Sequence, residues 1–232
     1  MTLRRIWNLF LLRLSFLATR ILKVSIHFGK PASMSIEPTT SCNLGCPECP
    51  SGLKKFTRPT GKIDLGLHKK LLSQIDKSVF YINYYFQGEP FLHPRFLELI
   101  KEAKRSRVYT STSSNLHFVN PKKALDIVDS GLDRLIISID GLTQKTYEQY
   151  RVNGKLSKVL KASKYLVDAK KERGSATPHL IFQFLAVKPN EHEIPQVFEL
   201  ASEMSIDEVR IKTAQLYDYK HGNPLMPENE EY

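Results

Sequence analysis

From residue 34 onward, short runs of β-branched or aromatic residues alternate with stretches in which apolar residues return every three or four positions. The runs fit strands and the stretches fit helices with one apolar face. Six strands are predicted: Met34 to Glu37, Val79 to Phe86, Val108 to Thr112, Arg134 to Ile139, His179 to Val187 and Glu208 to Lys212. Between them, Asp64 is placed to cap a helix burying Leu67, Leu71 and Ile75, and Pro94 suits the first turn of one burying Phe96, Leu99, Ile100 and Ala103. Asn120-Pro121 opens a helix over Ala124, Leu125 and Val128, and Gly131 stops it. Leu156, Val159, Leu160, Ser163 and Val167 make a further stripe, as do Ile194, Val197, Phe198, Ala201 and Met204. Strand-helix alternation of this kind implies an α/β fold with a parallel sheet and right-handed crossovers. An open doubly wound sheet and a barrel both satisfy it. A full eight-unit barrel takes about 250 residues; six units here occupy residues 34 to 212. The expectation is a partial (β/α)6 TIM-like barrel.

The segment before it, Leu3 to Val24, has a helical pattern of its own. Arg5, Arg13, Arg20 and Lys23 fall on one side, and Ile6, Phe10, Leu14, Leu17, Ile21 and Val24 on another. Arg13 interrupts the apolar runs, neither of which approaches the roughly 20 residues of a spanning helix. The segment therefore reads as an N-terminal amphipathic helix. Apolar faces more often meet protein than lipid, so it is expected to pack on the domain, with attachment to an anionic membrane surface as the alternative. Residues 1–33 form this helix region, 34–216 a core domain, and 217–232 a tail.

Composition changes the picture in two respects. The formal charge of +10 is partly local, because six basic residues precede the first acidic one, Glu37. Elsewhere the charges are interspersed along helical faces, and no aromatic-interleaved basic motif accompanies them, so nucleic acid is not an expected partner. The three cysteines all lie within eight residues. A secreted disulfide protein rarely gathers its only cysteines so closely, and an odd number leaves one unpaired. A reducing cytoplasm fits, with contact at a membrane periphery left open.

Those cysteines follow the first predicted strand in Cys42-Asn43-Leu44-Gly45-Cys46-Pro47-Glu48-Cys49, a C-x3-C-x2-C spacing. Thiolates are the usual ligands of iron-sulfur clusters, and short spacing lets one loop wrap a compact cluster. Four protein ligands suit an electron-transfer cluster; three leave one iron open to bind something else. A half zinc site or a dithiol pair could use Cys46 and Cys49, but neither uses Cys42 naturally.

This loop resembles the signature of the radical SAM superfamily, and its surroundings resemble the branch whose members usually carry a C-terminal SPASM domain. The resemblance implies a 4Fe-4S cluster on Cys42, Cys46 and Cys49. It implies that the open iron chelates S-adenosyl-L-methionine, which is cleaved reductively to a 5'-deoxyadenosyl radical that abstracts a hydrogen. Gln87-Gly88-Glu89-Pro90 resembles the family's Gly-Gly-Glu-Pro motif, which contacts the amino group of the bound methionine, with Gln87 standing in place of the first glycine. Asn115 after strand three and Ser138 after strand four match turns that line the cofactor pocket, and Arg151 resembles an arginine that meets the cofactor carboxylate. The sixth strand resembles the segment flanking adenine.

The family further implies a reductant such as flavodoxin or ferredoxin and a peptide, protein or small-molecule substrate that the sequence does not name. SPASM extensions bind auxiliary clusters through further cysteines, and none follows here, so the expectation is a minimal core or one truncated before such an extension. The alternatives are a core that binds cluster and cofactor without turnover, and a zinc-binding structural module.

Overall fold

The computed structural model describes residues 2–75, 78–218 and 220–232. Its centre is one six-stranded sheet with β1 (Ser33–Ser35), β2 (Tyr81–Asn83), β3 (Tyr109–Ser114), β4 (Arg134–Ser138), β5 (His179–Ala186) and β6 (Glu208–Thr213). The strands lie side by side in sequence order and every pair is parallel. A doubly wound sheet reverses its strand order partway, whereas sequential order with right-handed crossovers keeps every helix on one side. The order therefore resolves what periodicity left open: the sheet is a partial TIM-like barrel.

Six helices follow in the core domain: α2 (Leu65–Ile75), α3 (Phe96–Arg105), α4 (Pro121–Asp129), α5 (Gln144–Tyr150), α6 (Leu156–Glu172) and α7 (Ile194–Glu203). Local signals start several of them. Asp64 Oδ1 accepts from the backbone N–H groups of Gly66 and Leu67, and Asn120 Oδ1 accepts from Lys123 N at 2.8 Å. Pro121 occupies the first turn of α4, and Gly131 beyond its end takes a φ of +75°.

The two faces of the sheet differ. Leu135, Ile137, Leu180, Phe182 and Phe184 point to the helices and join Phe96, Leu99, Ile100, Val159 and Val197 in the main core. The opposite face carries Ser111, Arg134, Ser138, Gln183 and Arg210, which alternate with the core positions as the two-residue period requires. Two stripes differ in phase from the sequence reading. In α2, Leu67 is exposed while His68 and Leu72 face the core; His68 Nε2 lies 2.7 Å from the Tyr84 hydroxyl, a polar partner that hydrophobicity alone does not signal. In α7, Phe198 is half exposed while Val197 and Ala201 are buried.

The leading helix α1 (Leu3–Leu22) forms as expected but faces the other way. Its buried residues are Arg5, Asn8 and Ser15. Arg5 donates to the carbonyls of Ser106 and Arg107, at 2.8 and 2.6 Å, in the turn that leads into β3. Asn8 exchanges two hydrogen bonds with the backbone of Lys30, Ser15 Oγ accepts from Phe28 N, and Thr19 exchanges two with Ile26. An extended strap over residues 26 to 30 is thus laid along the helix, with Gly29 so close that a Cβ would meet Leu12 at 2.7 Å. Polar side chains turn inward because they find backbone partners there, and the apolar face, expected to pack on the domain, is left outward.

Candidate functional site

The loops at the C-terminal ends of the strands converge on one cleft, as in other barrels. All nine residues singled out in the sequence line it: Cys42, Cys46, Cys49, Gln87, Gly88, Glu89, Asn115, Ser138 and Arg151. They come from the loops after β1, β2 and β3, from the last residue of β4 and from the end of α5. Tyr85, Ser51 and Gln183 join them.

The cysteine loop is fixed at both sides. Gly45 N donates to Val152 O at 2.9 Å and Glu89 N donates to Ser41 O at 2.7 Å, so the loops after α5 and β2 each hold one flank of it. Gly88 has a φ of +77°, and a Cβ there would collide with the Thr39 carbonyl oxygen. Only glycine lets the two backbones meet this closely. Cys46 is buried and Cys42 and Cys49 are partly exposed, all three as free thiols.

Burial pushes the Cys42 thiol up to about 11 and raises that of Cys46 as well. The protein surroundings alone therefore disfavour thiolates at Cys42 and Cys46, and cationic charge brought by a metal group would reverse that preference. Among the described residues, no three His, Cys, Asp or Glu side chains stand close enough to share one metal ion. Thiols are the donors that an iron-sulfur cluster takes, and the cysteine loop brings three of them to the cleft.

Glu89 is buried at the cleft, with 2% of its surface exposed. It accepts hydrogen bonds from Ser114 Oγ at 2.8 Å, Asn115 N at 2.8 Å and Phe91 N at 3.1 Å. Burial raises its pKa and these three donors oppose the rise. Asn115 extends the network by donating from Nδ2 to Asn43 Oδ1 at 2.9 Å, which joins the end of β3 to the cysteine loop.

Arg151 is oriented from behind by Asp140, which is 1% exposed on its side chain and accepts from the Arg151 Nε. The other carboxylate oxygen of Asp140 accepts from Leu185 N at 2.7 Å, so the arginine is tied to β5. Arg151 also directs Nη1 toward Cys46 Sγ at 3.6 Å. Burial works against the guanidinium charge, but Asp140 and Cys46 outweigh it and hold the group protonated well above its ordinary range.

Gln87 meets the cysteine loop directly. Its Oε1 accepts from Cys49 Sγ at 3.3 Å and from Ser51 Oγ at 3.2 Å, while Ser51 Oγ accepts from Gly88 N at 2.9 Å. The sequence reading carried no role to Asp140, Ser51, Tyr85 or Gln183. Asp140 had a signal, since it stands in the turn that contributes Ser138; the others come together only through the fold.

Comparison with known proteins agrees with this geometry. The family model described as "Radical SAM superfamily" matches residues 36–201. The PqqA peptide cyclase of Gluconobacter oxydans is 27% identical over 203 residues, covering 87% of this chain and 55% of its own length. The mycofactocin maturase MftC of Mycobacterium tuberculosis is 29% identical over 140 residues, or 60% of this chain and 35% of that protein. Streptococcus suis SuiB bound to S-adenosylmethionine superposes with a TM-score of 0.68 at 15% identity, over 91% of this chain and 47% of SuiB, and so shares the fold. This chain spans about half the length of the curated relatives it matches. On the strength of a family match running from just after β1 through most of α7, the chain belongs to the radical SAM superfamily.

Proposed function

We propose that this chain is the catalytic core of a radical SAM enzyme that modifies a peptide. Cys42, Cys46 and Cys49 would hold a 4Fe-4S cluster with one iron left for S-adenosyl-L-methionine. The observation that carries the reading is convergence: three thiols from the loop after β1, a buried carboxylate from the loop after β2 and a partly buried guanidinium from the end of α5 line one cleft. When bound, the cluster would supply one electron to S-adenosyl-L-methionine, whose carbon-sulfur bond then breaks to give methionine and a 5'-deoxyadenosyl radical that takes a hydrogen atom from the substrate.

The chain's own residues bind and orient. Arg151, pre-aimed by Asp140, offers a planar fork of donors to a carboxylate. Glu89 offers an acceptor for an ammonium group, and the three donors it already holds keep its oxygens from rotating away. A zwitterionic amino-acid moiety matches that pair of charges. Ser138 and Asn115 add hydroxyl and amide groups on the neighbouring wall.

A peptide substrate is supported by what similar proteins are called: relatives from three bacteria are named PqqA peptide cyclase, and one solved SuiB structure is bound to the precursor peptide SuiA. The electron donor would be a small protein such as flavodoxin or ferredoxin. The alternative, a core that binds cluster and cofactor without turnover, draws on the chain's half-length coverage of its relatives. Anaerobic reduction of the reconstituted protein with S-adenosyl-L-methionine separates the two. Release of 5'-deoxyadenosine and methionine is the expected result; a loaded, reduced protein that binds the cofactor and releases neither would establish the alternative.

A further inference from the structure

The outward face of α1 has no cover among the described residues. Leu3, Trp7, Phe10, Leu14, Leu17 and Ile21 repeat at alternating spacings of four and three and so form one row along the helix. All six are exposed, with Trp7 at 60% and Ile21 at 77%. The row extends over about 27 Å at the α-helical rise. Leaving this much contiguous apolar surface in water is unusual for a soluble protein and marks an interaction site. It is also costly to explain as a folding error, because the inward face is fully specified by Arg5, Asn8, Ser15 and Thr19 and their backbone partners. Turning the helix over would strand those groups.

The geometry points to the surface of an anionic lipid bilayer as the occupant of this face, with α1 lying in the plane of the interface. Charge selects that partner. Arg13 and Arg20, seven residues apart, lie along one edge of the row, Arg4 lies on the other edge, and Lys23 follows the helix end; all four are exposed. No acidic residue occurs before Glu37. A second copy of the chain on this face would oppose like charges without a nearby carboxylate to answer them. Lipid phosphates answer them directly, and basic side chains can reach headgroups while their stems stay on apolar surface. Trp7 and Phe10, whose rings stack with centroids 5.2 Å apart, are residue types suited to the boundary between headgroups and acyl chains. Spanning is not the mode, since among the described residues no helix is long and apolar enough to cross a membrane.

The consequence for the molecule is one of orientation. Arg5 anchors α1 to the turn that leads into β3, and β3 runs from there to Ser114 at the cleft. Lipid contact through α1 therefore leaves the cleft at the far end of the strands, open to a substrate arriving from the aqueous side.

Trp7 is the single tryptophan of the chain and serves as the probe. The purified full chain is mixed with vesicles of phosphatidylcholine alone or with phosphatidylglycerol added, and both sedimentation and Trp7 emission are read. Binding and a blue shift are expected on the anionic vesicles, weakening as salt rises from about 0.05 M to about 0.5 M. Replacing both Arg13 and Arg20 by Gln is expected to lower partitioning about thirtyfold, with iron content after reconstitution unchanged. Absence of binding to anionic vesicles, or binding indifferent to salt and to the double substitution, overturns the proposal. So does a dimer, or a complex with another protein, in which Trp7 is already blue-shifted before any lipid is added.

Discussion

The two ends of β3 teach opposite lessons about amphipathic sequence. At its C-terminal end, polar groups are buried against one another: Glu89 is enclosed by Ser114 and Asn115, and Asp140 by Arg151 and Leu185. At its N-terminal end, α1 also buries polar groups, but there the apolar residues of the same element are turned to solvent. In both regions Glu89, Asp140, Arg5 and Asn8 have partners on distant parts of the chain, as burial demands. What differs is the use of the opposite side. The strands and helices of the barrel spend their apolar side on a core, whereas α1 keeps its apolar side in reserve. Periodicity reveals that an element has two faces; which face turns inward depends on where its hydrogen-bonding partners lie.

The largest effect on stability is expected from the cleft. Asp140→Ala removes the buried carboxylate that Arg151 and Leu185 N both use, a change that costs about 3 kcal/mol because the guanidinium keeps some access to solvent. Denaturant unfolding should show it as a lower midpoint. A loss no larger than that of an exposed substitution would mean that the pair does not organise this end of the barrel.

Next comes Glu89→Gln, which sharpens the division between binding and assembly. Loss of a charged acceptor should weaken S-adenosyl-L-methionine binding by about 1.5 to 3 kcal/mol, while cluster content is retained. Equilibrium titration of the reconstituted variant measures it, and unchanged affinity would remove Glu89 from the ammonium site.

At the other end, Asn8→Ala deletes the two bonds to Lys30 and should cost about 1 to 3 kcal/mol. The loss should appear as faster hydrogen exchange in α1 and the strap over residues 26 to 30, with the barrel strands unaffected. Faster exchange in β3 and β4 as well would show that the two ends are coupled rather than independent.

A pH effect follows from the core beneath α2. Burial pushes the His68 imidazole down to about 4, below its unfolded value near 6.5. The unfolded chain therefore binds a proton that the folded chain refuses across that window, and the His68 contribution to stability, complete above about 6.5, is lost as pH falls toward about 4. His68→Phe should flatten the unfolding midpoint against pH over that interval. The smallest change is expected for the helix cap Asn120→Ala, about 1 kcal/mol, read as a modest fall in unfolding midpoint.

Much of this was legible beforehand. The six strands appear where β-branched and aromatic runs predicted them, and the buried residues of α3 are the four that the pattern named, Phe96, Leu99, Ile100 and Ala103. Eight of the nine site residues sit at successive strand ends, a placement that motif order already encodes, and Arg151 joins them from the end of α5. The exceptions have physical reasons. His68 replaces Leu67 on the inward side of α2 because Tyr84 offers it a partner from another strand. Gln183 lies on the face of β5 opposite the core and Tyr85 just beyond β2, and neither stands in a motif that marks it for the cleft. The inward face of α1 is decided by carbonyls a hundred residues away, at Ser106 and Arg107.

The central claim is that three cysteines, and no other thiol, hold one cluster with an iron open to the cofactor. Iron per chain after anaerobic reconstitution tests it most directly, measured in the unaltered protein and in Cys42→Ala, Cys46→Ala and Cys49→Ala. The account predicts about four irons in the unaltered chain and loss of the cluster in each variant. A full iron complement retained after any one of the three substitutions would contradict it.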